Sequence, residues 1–191
     1  MQTSTGKRRD RLTACFATVD PGVKGGVAVW EVDEIKGVAT LISLEPMPVD
    51  AGLEMVDGEE LAEMFFDAEV VYVEKVGSMP GNAGQRMFNF GASYGIVIGA
   101  AMASRREVRL VSPNSWMNVA HAGLLRSQES KSRSIYICMR DMGIALAKSQ
   151  DGMADAVCLG IAIAKEHNWE IRNGYKKRDE TGKNPSGRRV R

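Results

Sequence analysis

The run Ala14-Cys15-Phe16-Ala17-Thr18-Val19 closing on Asp20-Pro21-Gly22, with Gly26-Val27-Ala28-Val29-Trp30-Glu31-Val32 behind it, decides the fold. The first part reads as a short apolar strand ended by a turn. Asp caps the turn with its side chain, Pro presets φ, and Gly tolerates conformations that other residues avoid. The second part alternates as a strand with one buried face does. Val38 to Leu44 reads as a third strand, so the chain opens with an antiparallel meander. Further on, the compact run Glu69-Val70-Val71-Tyr72-Val73 predicts a central strand ending at Glu74, and Val108 to Val111 predicts a fifth.

Between and after the strands the pattern turns helical. Asp57 is placed to cap a helix over Glu59 to Asp67. A long helix is expected from Gly84 to Ser104, a short one from Ser112-Pro113 through Trp116, and two more over Glu129 to Met142 and Asp151 to Glu166. In the long helix Gly91, Gly95 and Gly99 recur every four residues, a stripe expected to let it pack closely on a sheet. The order βββαβαβααα describes an α/β domain with a five-stranded mixed sheet flanked by helices.

The 191 residues suit one such domain. Net charge is +1, but residues 1–11 carry +3 and residues 171–191 carry +6, so the stretch between them carries −8. Residues 1–12 therefore read as a basic flexible arm, 13–168 as the folded domain and 169–191 as a basic, disordered tail. An acidic body with basic ends suits a carboxylate site neutralised by metal, with arms that reach phosphate. Cys15, Cys138 and Cys158 form no CxxC pair, which suits a reducing compartment. His121 and His167 make no zinc pattern. The polar N-terminus is no secretory signal, and the longest apolar stretch, Ile96 to Ala103, is too short to span a bilayer. A cytoplasmic protein without a membrane partner is expected.

Four acids carry the chemistry. Asp20 and Glu74 end two strands, and neighbouring strand ends lie about 4.8 Å apart. Asp151 and Asp155 are four apart, so a helix projects them from one face. Clustered carboxylates repel, and a shared cation is the usual reason to gather them. Phosphodiester hydrolysis needs a deprotonated water and a neutralised leaving oxygen. Two Mg²⁺ ions roughly 4 Å apart meet both needs, and Mg²⁺ prefers hard oxygen ligands.

These residues also carry a resemblance. Thr18-Val19-Asp20-Pro21-Gly22 with Gly25-Gly26, Val71-Tyr72-Val73-Glu74-Lys75-Val76, Val111-Ser112-Pro113-Asn114-Ser115-Trp116 and Asp151-Gly152-Met153-Ala154-Asp155-Ala156 resemble, in this order, the motifs of RuvC-type Holliday junction resolvases. Ser78-Met79-Pro80-Gly81, Met87-Phe88-Asn89-Phe90-Gly91 and Ser93-Tyr94-Gly95 resemble the phage-type members especially. The resemblance covers about residues 14 to 167. It implies a ribonuclease H-like fold and a homodimer that binds a four-way junction and nicks two strands symmetrically. It implies two Mg²⁺ per site, replaceable by Mn²⁺, held by Asp20, Glu74, Asp151 and Asp155, and no nucleotide cofactor. Lys131 would offset charge near the scissile phosphate. Lys75, Ser78, Met79, Asn82, Gln85 and Arg86, on the loop and helix start after Glu74, are candidate DNA contacts, with Met79 a candidate wedge between bases.

Two positions depart from the family pattern: Met117 and Met153 stand where members often carry a basic residue. Three other readings compete. An actin-like ATPase would need a second phosphate-binding Gly turn and a much longer chain; this chain is too short and shows no such turn. Another ribonuclease H-like nuclease would act on flaps or RNA–DNA hybrids. A junction-binding protein without cleavage would not need the four acids.

Overall fold

The computed structural model describes residues 13–77, 84–124 and 130–176, with backbone alone at 85–86 and 130–132. Strands β1 (Thr13–Asp20), β2 (Gly26–Asp33) and β3 (Val38–Pro46) form the expected antiparallel meander. A two-stranded ribbon follows, β4 (Val49–Asp50) with β5 (Met55–Val56), and then α1 (Gly58–Met64). Next come β6 (Val70–Glu74), α2 (Gly84–Ala103), β7 (Glu107–Val111), α3 (Pro113–Ala120), α4 (Ser130–Met142), α5 (Asp151–Glu166) and β8 (Glu170–Asn173). The main sheet runs β7-β6-β1-β2-β3-β8. β6 is parallel to both β1 and β7, and β8 is parallel to β3.

Helix starts follow their capping chemistry. The Asp57 carboxylate accepts from the backbone N–H groups of Glu59 and Glu60, at 2.9 and 3.0 Å. Ser112 Oγ accepts from the N–H of Ser115, and Pro113 takes the position where a missing N–H costs nothing. α3 continues to Ala120, a turn beyond the expected end, because Trp116 and Ala120 share its buried face.

The sheet separates two apolar layers. Phe16, Trp30, Tyr72 and the buried face of α5 fill one. Val19, Val27, Val73, Leu61, Phe65 and Val97 fill the other, under α1 and α2. Phe16, Thr18 and Asp20 alternate with Ala17 and Val19, so the period of two places Asp20 on the α5 side.

Three expectations need correction. The sheet has six strands, not five, and a separate ribbon. The added strand, β8, lies inside the segment expected to be tail. Asn168 adopts φ +57° beyond α5, and the chain turns back with the Trp169 N–H donating to Ala164 O at 2.9 Å. The Trp169 ring then stacks on His167 at 4.4 Å and meets Phe16 at 6.2 Å, which docks the following residues on β3. The arm at 1–12 and the residues beyond 176 lie outside the described residues.

The third correction concerns glycine. Gly91, Gly95 and Gly99 of α2 do not touch the sheet: among the described residues, a methyl group on any of them would meet nothing within 4 Å. α2 rests instead on Ser93, Val97 and Ala101. The small-residue stripe that packs on the sheet belongs to α5, as Gly152, Ala156, Gly160 and Ala164. There a Cβ on Gly160 would fall inside the Trp30 indole. Gly160→Val should therefore destabilise the fold by roughly 1–3 kcal/mol, as overpacking of a filled core does. Gly95→Ala should raise stability by up to about 1 kcal/mol, as alanine is the better helix former at an open position. Urea denaturation of both variants checks the contrast, and equal losses would contradict it.

Candidate active site

The site lies where β1, β6 and the start of α5 meet. The parallel register pairs Thr18 with Tyr72 and Val19 with Val73. One step further, Asp20 and Glu74 end adjacent strands on the same face, about 4.8 Å apart by sheet spacing. A hydrogen-bonded relay sets α5 against this edge. The Trp30 indole N–H donates to Thr18 Oγ1 at 3.2 Å, and the Thr18 hydroxyl donates to Ala156 O at 2.7 Å. All of this is buried: Thr18 and Trp30 are both fully inaccessible.

Glycines let the helix start come close enough. Gly25 and Gly152 form an isolated parallel bridge between the β1–β2 turn and the first turn of α5. A Cβ on Gly152 would collide with Gly25 and Lys24 and lie 2.7 Å from Asp20 Oδ2. A Cβ on Gly26 would lie 2.6 Å from the Met153 Cα. The Asp-Pro-Gly turn is tied by the Gly25 N–H donating to Gly22 O at 2.7 Å. The backbone of α5 thus touches the turn that follows Asp20, with only hydrogen between them.

The four acids are all half-buried. Asp151 begins α5, where a negative side chain suits the positive helix end. Asp155 stands one turn further in. Burial pushes the Glu74 carboxyl up to about 8, and the Asp20 and Asp155 carboxylates add to the rise. These three acids from three elements therefore share one electrostatic neighbourhood. Asp151 does not figure among the charges acting on Glu74. Among the described residues no three acids, histidines or cysteines have the spacing to clasp an ion as they stand. The acids thus share a neighbourhood without standing at coordination distance from one another. The donor set fits a hard divalent cation: oxygen alone, half-buried, and carrying a proton at Glu74 that a cation would displace.

The remaining expected residues are placed unevenly. Lys75 follows Glu74 and is exposed. Lys131 falls in the first turn of α4, and Gln85 and Arg86 in the first turn of α2, with their side chains outside the described residues. Ser78, Met79 and Asn82 lie outside the described residues altogether. Met153, at a position often basic in the resembled family, is buried against Gly26, where a charged side chain would lose its water. Sequence reasoning missed Thr18, Trp30, Gly152 and Gly160 as the parts that seat α5. The signal was a small residue at every fourth position of α5, set against a Thr and a Trp on inward-facing strand positions.

In the metal-free protein, Glu74 holds its proton up to about pH 8, whereas the unfolded chain releases it near the ordinary 4.5. The native state then binds more protons between those values, so stability falls as pH rises through that window. Buried His121, pushed down to about 4, acts in the opposite sense between 4 and its ordinary 6.5. Comparison with Glu74→Gln isolates the Glu74 contribution. With EDTA present, the wild-type denaturation midpoint should drop relative to Glu74→Gln between pH 5 and 8. A constant difference between the two profiles would contradict this.

No protein-family model matches the chain, and no curated protein matches it in sequence. Solved structures do match. Thermus thermophilus RuvC in complex with Holliday junction substrate has a TM-score of 0.53 at 20% identity, over 81% of this chain and 93% of that one. Thermus thermophilus RuvC in a second structure gives 0.53 at 23%, over 80% and 93%. The fowlpox virus Holliday junction resolvase gives 0.52 at 17%, over 80% of this chain and 99% of that one. The chain has the ribonuclease H-like fold of these junction resolvases.

Proposed function

We propose that this protein is a divalent-metal-dependent endonuclease that resolves four-way DNA junctions. The observation that carries the reading is the convergence of Asp20, Glu74 and Asp155 from β1, β6 and α5 on one half-buried face. Asp20, Glu74, Asp151 and Asp155 hold the metal, two Mg²⁺ per site, with Mn²⁺ able to substitute. The chemistry supplied on binding is activation of water for attack and neutralisation of charge on the leaving 3′ oxygen. The chain's own part is positional. Asp20 and Glu74 are fixed by adjacent strand ends, and Asp155 by the relay through Thr18. Lys131 offsets charge on the scissile phosphate from the first turn of α4. Lys75, Ser78, Met79, Asn82, Gln85 and Arg86 meet the DNA, and the basic ends add phosphate contacts.

A four-way junction has two-fold symmetry, and a symmetric pair of sites suits it. The outer face of α2 is where a second copy would sit, because Gly91, Gly95 and Gly99 leave room for a close helix crossing and Phe88 is exposed beside them. Gly95→Leu should then shift the protein toward monomer in analytical ultracentrifugation. A monomeric wild type would remove the symmetric mechanism.

The direct test is a panel of four-way junction, flap and RNA–DNA hybrid substrates, each with Mg²⁺ and with Mn²⁺. The junction should be cut preferentially. Asp20→Asn and Glu74→Gln should each lower the rate at least about 100-fold, as loss of a charge-stabilising group does, while junction binding persists. Preference for hybrid or flap would replace this reading with another ribonuclease H-like activity. Binding without cleavage under either metal would reduce the protein to a junction-binding module.

A further inference from the structure

A cavity of about 520 Å³ opens on the α5 side of the sheet, between β7, the start of α3 and the end of α5. It does not include the acids, although it adjoins them through the chain: Lys75, on its wall, directly follows Glu74. The Lys75 backbone N–H donates to Val111 O at 2.7 Å, which fixes the residue at the joint of β6 and β7. Its ammonium makes no ion pair among the described residues.

Arg109, also on the wall, is held in place. It lies over the Tyr72 ring at 5.7 Å, donates from Nη1 to the Tyr72 hydroxyl at 3.2 Å, and donates from Nε to Glu107 at 2.7 Å. A guanidinium has five N–H donors, so this arrangement orients it and leaves donors to spare. The third wall is the start of α3. Ser112 Oγ accepts from the Ser115 N–H and still has its own hydrogen to donate. The Ser115 hydroxyl and the positive end of an eight-residue helix lie beside it.

The charge balance narrows the ligand. Lys75, Arg109 and Glu166 line the wall, and Glu107 beside it takes up the Arg109 charge, so the surroundings are close to neutral and Lys75 is the cation left to meet an anion. That excludes a polyphosphate and leaves room for no more than a single negative charge. Val111 and Ile163 supply an apolar floor, and the His167 ring stands at the rim, so a sugar or base can accompany the charge. We propose that this cavity holds one phosphodiester of the DNA strand as it leaves the acids, gripped by Lys75, Arg109 and the Ser112–Ser115 turn. The inference rests on the nuclease reading above and adds a second phosphate contact to it.

The test is junction binding by the full-length protein without divalent metal, measured by fluorescence anisotropy from 50 to 200 mM salt. Lys75→Gln and Arg109→Gln should each weaken binding about 3–10-fold and make the slope of log affinity against log salt shallower by about 1. Ser115→Asp, at an exposed position where the backbone N–H alone makes the cap contact with Ser112, should weaken binding at least as much by repulsion. It also serves where loss of Arg109 from Tyr72 unsettles the fold. Wild-type affinity and slope in Lys75→Gln and Ser115→Asp, with a wild type that binds and cuts junctions, would overturn this site and leave the nuclease reading standing. A wild type that neither binds nor cuts junctions would overturn both.

Discussion

The structure depends on how closely the first turn of α5 can approach the turn after β1. Gly25 and Gly152 meet there with no side chain between them, and Asp20 lies beside the contact. One methyl group at Gly152 would push the helix away from the strand end. Everything the site does follows from that approach, because Asp155 rides on the same helix one turn later. The interior glycine of the helix, Gly160, has a separate reason: Gly is about 1 kcal/mol less favourable than Ala there, but a Cβ would strike the Trp30 indole.

A second set of contacts sets the rotation of α5 as the glycines set its distance. Thr18 sits between Phe16 and Asp20 on the inward face of β1 and spends its hydroxyl on a backbone oxygen of α5. Trp30, from the next strand, donates to that hydroxyl and fills the space left by Gly160. A buried indole N–H and a buried hydroxyl are thereby satisfied together, which in an apolar layer they must be. The result is a rigid edge on which like charges are brought close. Repulsion and burial oppose that arrangement, as the raised Glu74 carboxyl records. The fold supplies the close placement, and the proposed cation would supply the compensation.

Much of this was legible in the chain. The meander, the strand ending at Glu74 and the bounds of α5 follow from apolar period and from turn and cap residues, which act locally. Asp57 and Ser112 cap the helices they were expected to cap. What was not legible depended on partners distant in sequence. Nothing local distinguishes the Gly91-Gly95-Gly99 stripe, which faces outward, from the Gly152-Ala156-Gly160 stripe, which packs on the sheet. Both have small residues four apart, and only the sheet's position decides between them. β8 was lost for a related reason: a basic, polar segment becomes a strand because Asn168 turns the chain and Trp169 anchors it on Phe16. The acids were placed correctly as strand ends and a helix pair, but their mutual distances are a tertiary property.

The central claim is that these acids form one metal site, and it can be seen directly. Crystals grown with Mn²⁺ should show anomalous scattering peaks between Asp20, Glu74 and Asp155, with the carboxylates rotated inward to meet them. Peaks elsewhere on the surface, or none at this edge at saturating Mn²⁺, would contradict the account.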